Sequence, residues 1–532
     1  MAQPDVVAKR RWFALLTLCL CITVIGVDNT ILNVALPTLV RDVHATTSDL
    51  QWIVDAYVLV FAGLLLTAGS LGDRFGRKGA LMIGLVLFAI ASTSAALSDD
   101  VTQLIISRAF MGIGAAFIMP ATLSIITNIF THPKERGRAI GIWAGVSGIG
   151  IGLGPIIGGI LLAHFWWGSI FLVNVPIVCV ALVLCGTLVP TSRDPSTPRL
   201  DPVGALLSMV GLSLLLWTII QAPERGWSSA GTIAGFVGSI VVIGAFAFWE
   251  MHRDQPMLDL TFFRNPRFTV ANVAVTMAFF AIAGAVFIVT QMLQFILGFD
   301  PLEAGIGLLP VAIMFMVFAP VAPRIVERFG SKRLVGLGLV GGACGLLILA
   351  TVRADSSYVH VAIGLVCMSG GMSMAMPSAT ESIMGSVPKE KAGVGSAMND
   401  TTRQAGGALG VAVLGSVLAS GFTSELSRRL SSLKVTAAGV AQSKQSIGAA
   451  INYAHHLGGR AGATLVTVAR ESWMHGASLA LLIGSVFVLG GALLAFALLP
   501  ARATHHHLNA TELLPLPIVI DDDQLSPSDV ST

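Results

Sequence analysis

The sequence predicts an all-α polytopic membrane protein made of two six-helix bundles and two additional helices. Three observations predict this class: the chain is poor in charge, it contains many long apolar runs, and a basic turn recurs between two pairs of these runs. Only 11% of the 532 residues are charged, against about 25% in soluble domains, and the mean hydropathy is +0.81. Because a water-facing surface of this size needs more charge, a soluble fold is excluded.

Fourteen apolar spans can be counted along the chain, each roughly 20 residues long, the length that crosses ~30 Å of hydrocarbon as a helix. Short connections that are rich in glycine, proline and charge separate the spans. The spans begin near Trp12, Gln51, Gly79, Thr102, Ala139, Ser169, Val203, Gly231, Thr269, Ile306, Leu334, Tyr358, Ser396 and Ala477.

The number of lysine and arginine residues alternates between high and low from one connection to the next. This alternation orients the bundle. The connections assigned to the inside hold 21 of the 32 basic residues, whereas the short outer connections hold only Arg41, Arg225 and Arg353. Basic residues are enriched in cytoplasmic loops. We therefore expect both termini to be cytoplasmic. The small net charge of +3 gives no reason to expect a nucleic-acid partner.

A basic turn and its weaker copy reveal an internal repeat. The turn from Gly69 to Lys78 resembles the segment from Glu327 to Arg333, and Phe75 matches Phe329 at an offset of 254 positions. The two turns lie eight helices apart, so an extra helix pair separates two parallel six-helix halves, a known plan of transporters. The predicted divisions are a six-helix bundle at 1–190, two additional helices at 191–265, a six-helix bundle at 266–500 with a long external segment at 422–475, and a disordered cytoplasmic tail at 501–532.

The first copy of the turn contains several residues with separate roles. Gly72 and Gly76 allow a tight reversal, the three cations keep the turn on the cytoplasmic side, and Asp73 is placed to pair with a cation or to cap a helix N-terminus. We expect a latch between the halves that breaks during transport; a topology anchor alone is the alternative. The residues are Gly69, Gly72, Asp73, Arg74, Gly76, Arg77 and Lys78.

The fifth span contains a stripe of glycines. Three of them recur every four residues and so share one helix face, which allows another backbone to approach closely. A proline within the stripe removes one backbone hydrogen bond and bends the helix. We expect a tight, bent seam between the halves, with ordinary small-residue packing as the alternative. The residues are Gly150, Gly154, Pro155, Gly158 and Gly159.

Ionisable residues at membrane depth are the strongest candidates for function, because an unpaired charge there costs several kcal/mol. Asp28 lies in the first span, Asp55 in the second, Arg108 in the fourth, and Asp400 in the thirteenth, one turn before Arg403. Buried carboxyl groups can bind and release protons near neutral pH. We expect Asp28 to be the leading proton-coupling group and Asp400 the second, with Asp55 and Arg108 assisting. A purely structural role is the alternative for each residue.

These segments resemble the major facilitator superfamily, and within it the fourteen-helix drug:proton antiporter branch of the EmrB/QacA type. The resemblance covers about residues 12–500. The turn from Gly69 to Lys78 resembles the loop motif of the superfamily, and the run from Gly150 to Gly159 is similar to the antiporter motif of exporters. Three further segments resemble motifs of the branch: Asp28 to Pro37, Trp52 to Tyr57, and Arg108 to Ala116.

The resemblance implies a proton-coupled multidrug efflux antiporter that exports lipophilic, often cationic compounds across the plasma (inner) membrane of a bacterium. It implies a monomer whose partners are small molecules, protons and the bilayer. The chain contains no phosphate-binding Gly-x4-Gly-Lys-Ser/Thr loop, so the proton motive force, without a cofactor or metal, is the expected energy source. An enzyme is not expected, since no nucleophile elbow or metal-ligand spacing is found. Export of an endogenous lipid or metabolite, and a non-transporting membrane sensor, remain as alternatives; the substrate-binding residues stay unassigned.

Overall fold

The computed structural model describes residues 4–130, 132–192, 201–253, 256, 260–318, 321–387, 392–430 and 437–500. Within these residues the chain is helical and contains no strand, as predicted. The α-helices are α1 (Pro4–Asp42), α2 (Thr47–Phe75), α3 (Arg77–Ala96), α4 (Val101–Ile129), α5 (Pro133–His164), α6 (Ser169–Leu172), α7 (Asn174–Leu188), α8 (Pro202–Arg225), α9 (Ala230–Met251), α10 (Pro266–Gln291), α11 (Pro301–Gly307), α12 (Leu309–Phe318), α13 (Ala322–Phe329), α14 (Ser331–Ala350), α15 (Tyr358–Met384), α16 (Ala392–Leu430), α17 (Ala437–Ser443), α18 (Ile447–Leu457) and α19 (Gly459–Leu498).

Thirteen helices or helix pairs in the described part of the chain are long and apolar enough to cross a membrane. The predicted fifth span corresponds to α5, of which only Leu153–His164 counts as an apolar helix among the described residues. The chain is therefore a multi-pass membrane protein, and the total of fourteen spans stays a prediction. The tail 501–532 lies outside the described residues.

The helix pairs of the two halves repeat each other. In the first half α1 packs against α5 and α7, and α3 packs against α4; in the second half α10 packs against α16 and α19, and α14 packs against α15. The turns also match: Gly76 (φ +131°) joins α2 to α3, and Gly330 (φ +82°) joins α13 to α14. Glycine is favoured at both positions because side chains rarely adopt positive φ.

The described residues of the external segment 422–475 are largely helical. At 1.5 Å per residue, α16 and α19 are each about 60 Å long, roughly twice the hydrocarbon thickness. The last helix begins at Gly459 and not near Ala477, so both helices extend past the bilayer and carry α17 and α18 between their ends. The hydrophobicity that marks a span in the sequence ends before the helix does.

The two halves meet along two seams, one between α2 and α16 and the other between α5 and the α11–α12 segment. The extra hairpin α8–α9 lies beside the first seam, with α8 packed on both α2 and α16. We call the side of the bundle that carries residues 43–46 and 297–300 the outer side, following the orientation that the charge pattern predicts.

Candidate functional site

Asp28 and Arg108 form a buried ion pair between α1 and α4. The Nη1 atom of Arg108 lies 2.6 Å from Oδ2 of Asp28, and the two residues are 1% and 0% exposed. Removing two charges from water is costly, so such a pair persists only when further hydrogen bonds satisfy both partners. The sequence prediction placed both residues at membrane depth; the structure brings them into direct contact.

The second oxygen of the Asp28 carboxylate is also held. Asn174 donates from Nδ2 to Oδ1 of Asp28 at 3.1 Å and to Oγ of Ser92 at 3.2 Å. The Ser92 hydroxyl in turn donates to the carbonyl of Phe171 at 2.8 Å. Asp28 is therefore fixed by side chains from α4 and α7, with α3 behind them. The sequence analysis missed Asn174 and Ser92, although Asn174 is the one asparagine in the apolar run of residues 169–188.

Arg108 is fixed by α2 as well as by Asp28. Its Nε atom donates to the carbonyl of Ile53 at 3.0 Å, and its guanidinium carbon lies 4.4 Å from the centroid of the Tyr57 ring. Cations over aromatic faces gain about 0.5–2 kcal/mol, more when desolvated. The guanidinium thus links α1, α2 and α4 within the first half.

Asp55 lies in different surroundings. It is 0% exposed, and neither carboxyl oxygen has a hydrogen-bond partner in the described part of the structure. Gln51, one turn earlier on the same face of α2, donates to the carbonyls of Val411 and Ala412 on α16 at 3.2 and 2.8 Å. Asp55 therefore lies on the helix face that meets the second half, which makes it a buried acid beside a seam.

Asp400 is held more loosely than Asp28. Its Oδ1 atom lies 3.8 Å from Nη1 of Arg403, and its side chain is 20% exposed. Arg403 also donates to Oγ1 of Thr380 at 3.3 Å and lies over the ring of Phe279 at 5.6 Å. The pairing of Asp400 with Arg403 that the sequence suggested is present, but the distance of 3.8 Å is long and both side chains are partly exposed.

The basic turn contacts the first half. The backbone N–H of Arg77 donates to the carbonyl of Ser192 at 2.9 Å, and Nζ of Lys78 donates to the carbonyl of Gly186 at 2.8 Å. Arg74 is exposed and lies over the ring of Phe75. Gly69 and Gly72 provide close helix contacts: a β-carbon at either would lie 3.3 or 3.2 Å from Pro120 or Ala80. The predicted pairing of Asp73 concerns a side chain outside the described part of the structure.

Gly150, Gly154 and Gly158 of α5 face α1, so at these three positions the structure shows the alternative, small-residue packing within the first half. A β-carbon at Gly150 would lie 3.2 Å from the carbonyl oxygen of Thr23, one at Gly154 would lie 2.8 Å from that of Val27, and one at Gly158 would meet Ile31. The tight packing at these three positions is therefore inside the first half. A helix has several faces, and the stripe alone does not say which neighbour occupies one of them.

Pro155 and Gly159 make the contact between the halves. A β-carbon at Gly159 would lie 2.8 Å from the carbonyl oxygen of Pro301, and Gly305 packs directly against the carbonyl of Pro155. This contact involves backbone on both sides and lies on the outer side of the bundle. It closes the seam between α5 and α11 in this structure.

The chain is similar to known proteins along most of its length. The Major Facilitator Superfamily matches residues 18–411. The multidrug efflux pump LfrA of Mycolicibacterium smegmatis is 36% identical over 484 residues, which cover 91% of this chain and 95% of that protein. The methyl viologen resistance protein SmvA of Salmonella typhimurium is 34% identical over 477 residues, covering 88% and 95%.

A solved structure supports the fold. An inward-facing, unoccupied bacterial homolog of the human lysosomal transporter Spinster aligns with a TM-score of 0.64 at 18% identity, over 93% of this chain and 97% of that one. The matched helices, the repeated turns and the span of the family match agree with one another, and the chain belongs to the major facilitator superfamily of membrane transporters.

Proposed function

We propose that this transporter is a proton-coupled antiporter of the fourteen-helix EmrB/QacA type that exports lipophilic, often cationic small molecules from a bacterial cell. Its relatives include proteins named for multidrug efflux and for resistance to methyl viologen, which supports drug export. One structural observation carries the coupling: the Asp28–Arg108 pair is buried in the helix bundle and held by Asn174. Ionisable groups at membrane depth typically serve ion pathways.

Asp28 is the proposed site of proton exchange. A proton that binds a carboxylate oxygen of Asp28 turns the ion pair into a contact between a neutral carboxyl group and a cation. The attraction that holds Arg108 against α1 then weakens, while the contacts of Arg108 with α2 remain. Loss of the proton to the opposite side of the membrane restores the pair. The charge of Asp28 thereby sets how tightly α1 is tied to α2 and α4.

Asp55 is proposed as the second site in place of Asp400, because Asp55 is fully buried whereas the Asp400 side chain is 20% exposed. A buried carboxylate without a partner is far more costly than a buried neutral carboxyl group. The surroundings of Asp55 therefore fit a carboxyl group that takes up a proton when the α2–α16 seam parts and water enters from the outer side, and that stays neutral while the seam is closed. Asp400, partly exposed and near Arg403, is proposed as a third site.

The proposed energy source is the proton motive force. Moving one charge through a membrane potential of about 150 mV releases about 3.5 kcal/mol, and each tenfold concentration ratio costs about 1.4 kcal/mol. One proton therefore supports a gradient of a few hundredfold for a neutral substrate. We propose that the protein acts as a monomer in the plasma membrane, with both termini cytoplasmic and without a cofactor.

Everted membrane vesicles provide the test. Respiration acidifies their interior, and we expect added tetraphenylphosphonium to collapse this pH gradient and to accumulate inside. Asp28→Asn should abolish both effects at normal membrane levels of the protein, and Asp55→Asn should reduce them strongly. Asp99→Asn is the matched control, since Asp99 is an exposed acid in a connection.

The outcomes separate the proposed function from its alternatives. Accumulation that persists after an ionophore has removed the proton gradient contradicts antiport. A pH response to lipids or metabolites but to no lipophilic cation favours an exporter of endogenous compounds. The absence of any substrate movement favours a sensor. Full activity of Asp28→Asn removes Asp28 from the coupling mechanism.

A further inference from the structure

The two seams between the halves differ in what covers them. At the α2–α16 seam, α8 packs on both helices. At the seam between α5 and the α11–α12 segment, α1 of the first half contacts both α5 and α11, but neither α8 nor α9 packs over this seam in the described part of the structure. The extra hairpin α8–α9 therefore makes an otherwise repeated bundle asymmetric, and this asymmetry bears on how a lipophilic molecule reaches the interior.

Hydrogen bonds tie the hairpin to the second half. The Ser416 hydroxyl on α16 donates to the carbonyl of Ile219 on α8 at 2.9 Å, and the same hydroxyl accepts from Gln51 of α2 at 3.2 Å. Between α8 and α9, Trp227 donates from Nε1 to Oγ of Ser420 at 3.2 Å. One hydroxyl group thus joins α2, α8 and α16.

An apolar cluster closes the same seam below these hydrogen bonds. Side chains of all three helices pack together, and each is buried. The acid Asp55 lies on the same stripe of α2 as Leu59, one turn apart, and is fully buried. A molecule that passed through this seam would have to separate the cluster and the Ser416 hydrogen bonds. The cluster consists of Leu59, Leu216, Ile219, Ile220, Ala408 and Ala412.

The second helix of the hairpin, α9, lies on the side of α8 that faces away from the bundle. α9 packs mainly on α8, and its large apolar side chains are exposed, for example Ile240 at 68% and Val241 at 63%. Such a surface in a membrane protein is suited to the bilayer. The hairpin is thus a two-helix layer between the α2–α16 seam and the lipid.

On the outer side, the seam between α5 and the α11–α12 segment is closed where Pro155 and Gly159 meet α11. Farther toward the predicted cytoplasmic side, α12 contains no buried residue. Three of its apolar side chains, Ile313, Met316 and Val317, are 47%, 67% and 50% exposed. In the described part of the structure, opening this side separates the exposed apolar side chains of α12, whereas opening the other seam breaks the hydrogen bonds of Ser416.

We propose that the α8–α9 hairpin closes one of two lateral routes, so that lipophilic substrates pass from the predicted cytoplasmic leaflet into the transporter through the α5–α12 seam. This inference rests on the proposed export of lipophilic compounds. It assigns the extra helix pair a role in substrate access and assigns α12 a role in first contact with the substrate.

Photolabelling in membrane vesicles tests the route. A photoreactive arylphosphonium cation is activated in the presence or absence of excess tetraphenylphosphonium, and labelled peptides are mapped by mass spectrometry. We expect labelling of residues 309–318 to fall at least several-fold with the competitor, while labelling of α9 around Ile240 stays unchanged because it reflects lipid contact alone. Competed labelling on α8 or α9, or none on α12, overturns the inference.

A double variant tests whether α8 closes the α2–α16 seam. Leu216→Ala and Ile220→Ala together thin the apolar cluster, and we expect competed labelling to appear at the α2–α16 seam as well; Ile240→Ala is the matched control on the lipid-facing helix. An unchanged labelling pattern in the correctly inserted double variant contradicts the proposed role of α8. The wild-type map remains decisive if the double variant does not fold. Transport measured in the same vesicles tests the proposed function separately, since labelling needs binding but no turnover.

Discussion

Asp28 and Asp55 are equally buried, but the carboxylate of Asp28 has hydrogen-bond donors around it and the carboxyl group of Asp55 has none among the described residues. The carboxylate of Asp28 receives hydrogen bonds on both oxygens, from Arg108 and Asn174, whereas the carboxyl group of Asp55 receives none within the described part of the structure. Burial of a charge is tolerated only with a partner. In the proposed proton cycle the two acids are therefore assigned different steps, Asp28 as a switchable ion pair and Asp55 as an acid that responds to opening of the seam.

The ion pair yields a prediction for single residues. Arg108→Ala leaves the Asp28 charge buried without its partner, and breaking such a pair costs about 3–5 kcal/mol. We expect a markedly lower melting temperature in detergent and no transport. Adding Asp28→Asn removes the stranded charge, so the double variant should recover most of the stability but not the transport.

Arg41→Ala is the control for this prediction, because Arg41 is an exposed arginine on the same side of the bundle. Its melting temperature should stay close to that of the wild type. If Arg108→Ala had the same melting temperature as this control, the ion pair would contribute nothing to stability. The proposed link between the charge of Asp28 and helix packing would then be contradicted.

The close contact between α1 and α5 holds α1, and with it Asp28, in a fixed position. Glycines at every fourth position bring the two backbones together along one face. At Gly154 an added β-carbon would collide with Thr30 and would lie 2.8 Å from the carbonyl oxygen of Val27. This packing positions α1, the helix that carries Asp28. A rigid contact at this point keeps Asp28 in register with Arg108.

We predict that Gly154→Ala destabilises the protein by about 1–3 kcal/mol, the usual cost of overpacking, and that it reduces drug resistance in cells. Thermal unfolding and growth in the presence of a lipophilic cation measure the two effects. Gly490→Ala is the control, because no atom lies within 4 Å of a β-carbon built there and alanine favours helix over glycine by up to about 1 kcal/mol. Equal behaviour of the two variants would contradict the tight contact.

The whole molecule is closed on its outer side. Gln51 bonds to α16 across one seam, Gln294 donates to the carbonyl of Val34 at 2.8 Å, and Gly159 packs against Pro301 across the other seam. All three contacts join the two halves near the outer ends of the helices. Alternating access requires these contacts to break when the transporter opens outward.

We predict that a short thiol cross-linker joining Gln51→Cys to Ser416→Cys stops transport and that a reducible version releases the block. The control pair, Ser94→Cys and Ser107→Cys, lies between α3 and α4 within one half, where the hydroxyls are 2.9 Å apart. Cross-linking of the control should leave transport unchanged. Both pairs require a background without the native cysteines, and uptake into everted vesicles is the measurement. Transport that survives the first cross-link would exclude motion at this seam.

Much of this organisation could be predicted from local sequence. Charge depletion and apolar runs determine a helical membrane protein, because the bilayer leaves few other solutions, and the turns at Gly76 and Gly330 determine the repeat. Asp28, Asp55, Arg108 and Asp400 could be selected as candidates by residue type and depth alone. Charge and hydrophobicity are properties of a segment, so they can be determined without knowledge of its neighbours.

Only the tertiary structure decided which of these residues meet. Asp28 pairs with Arg108, 80 positions away, and with Asn174, while Asp55 on the other face of α2 pairs with no described residue. The glycines at 150, 154 and 158 face α1, and α8 packs over the seam between α2 and α16. Contacts between distant segments depend on how helices rotate and pack against one another, and no local pattern in the chain contains that information.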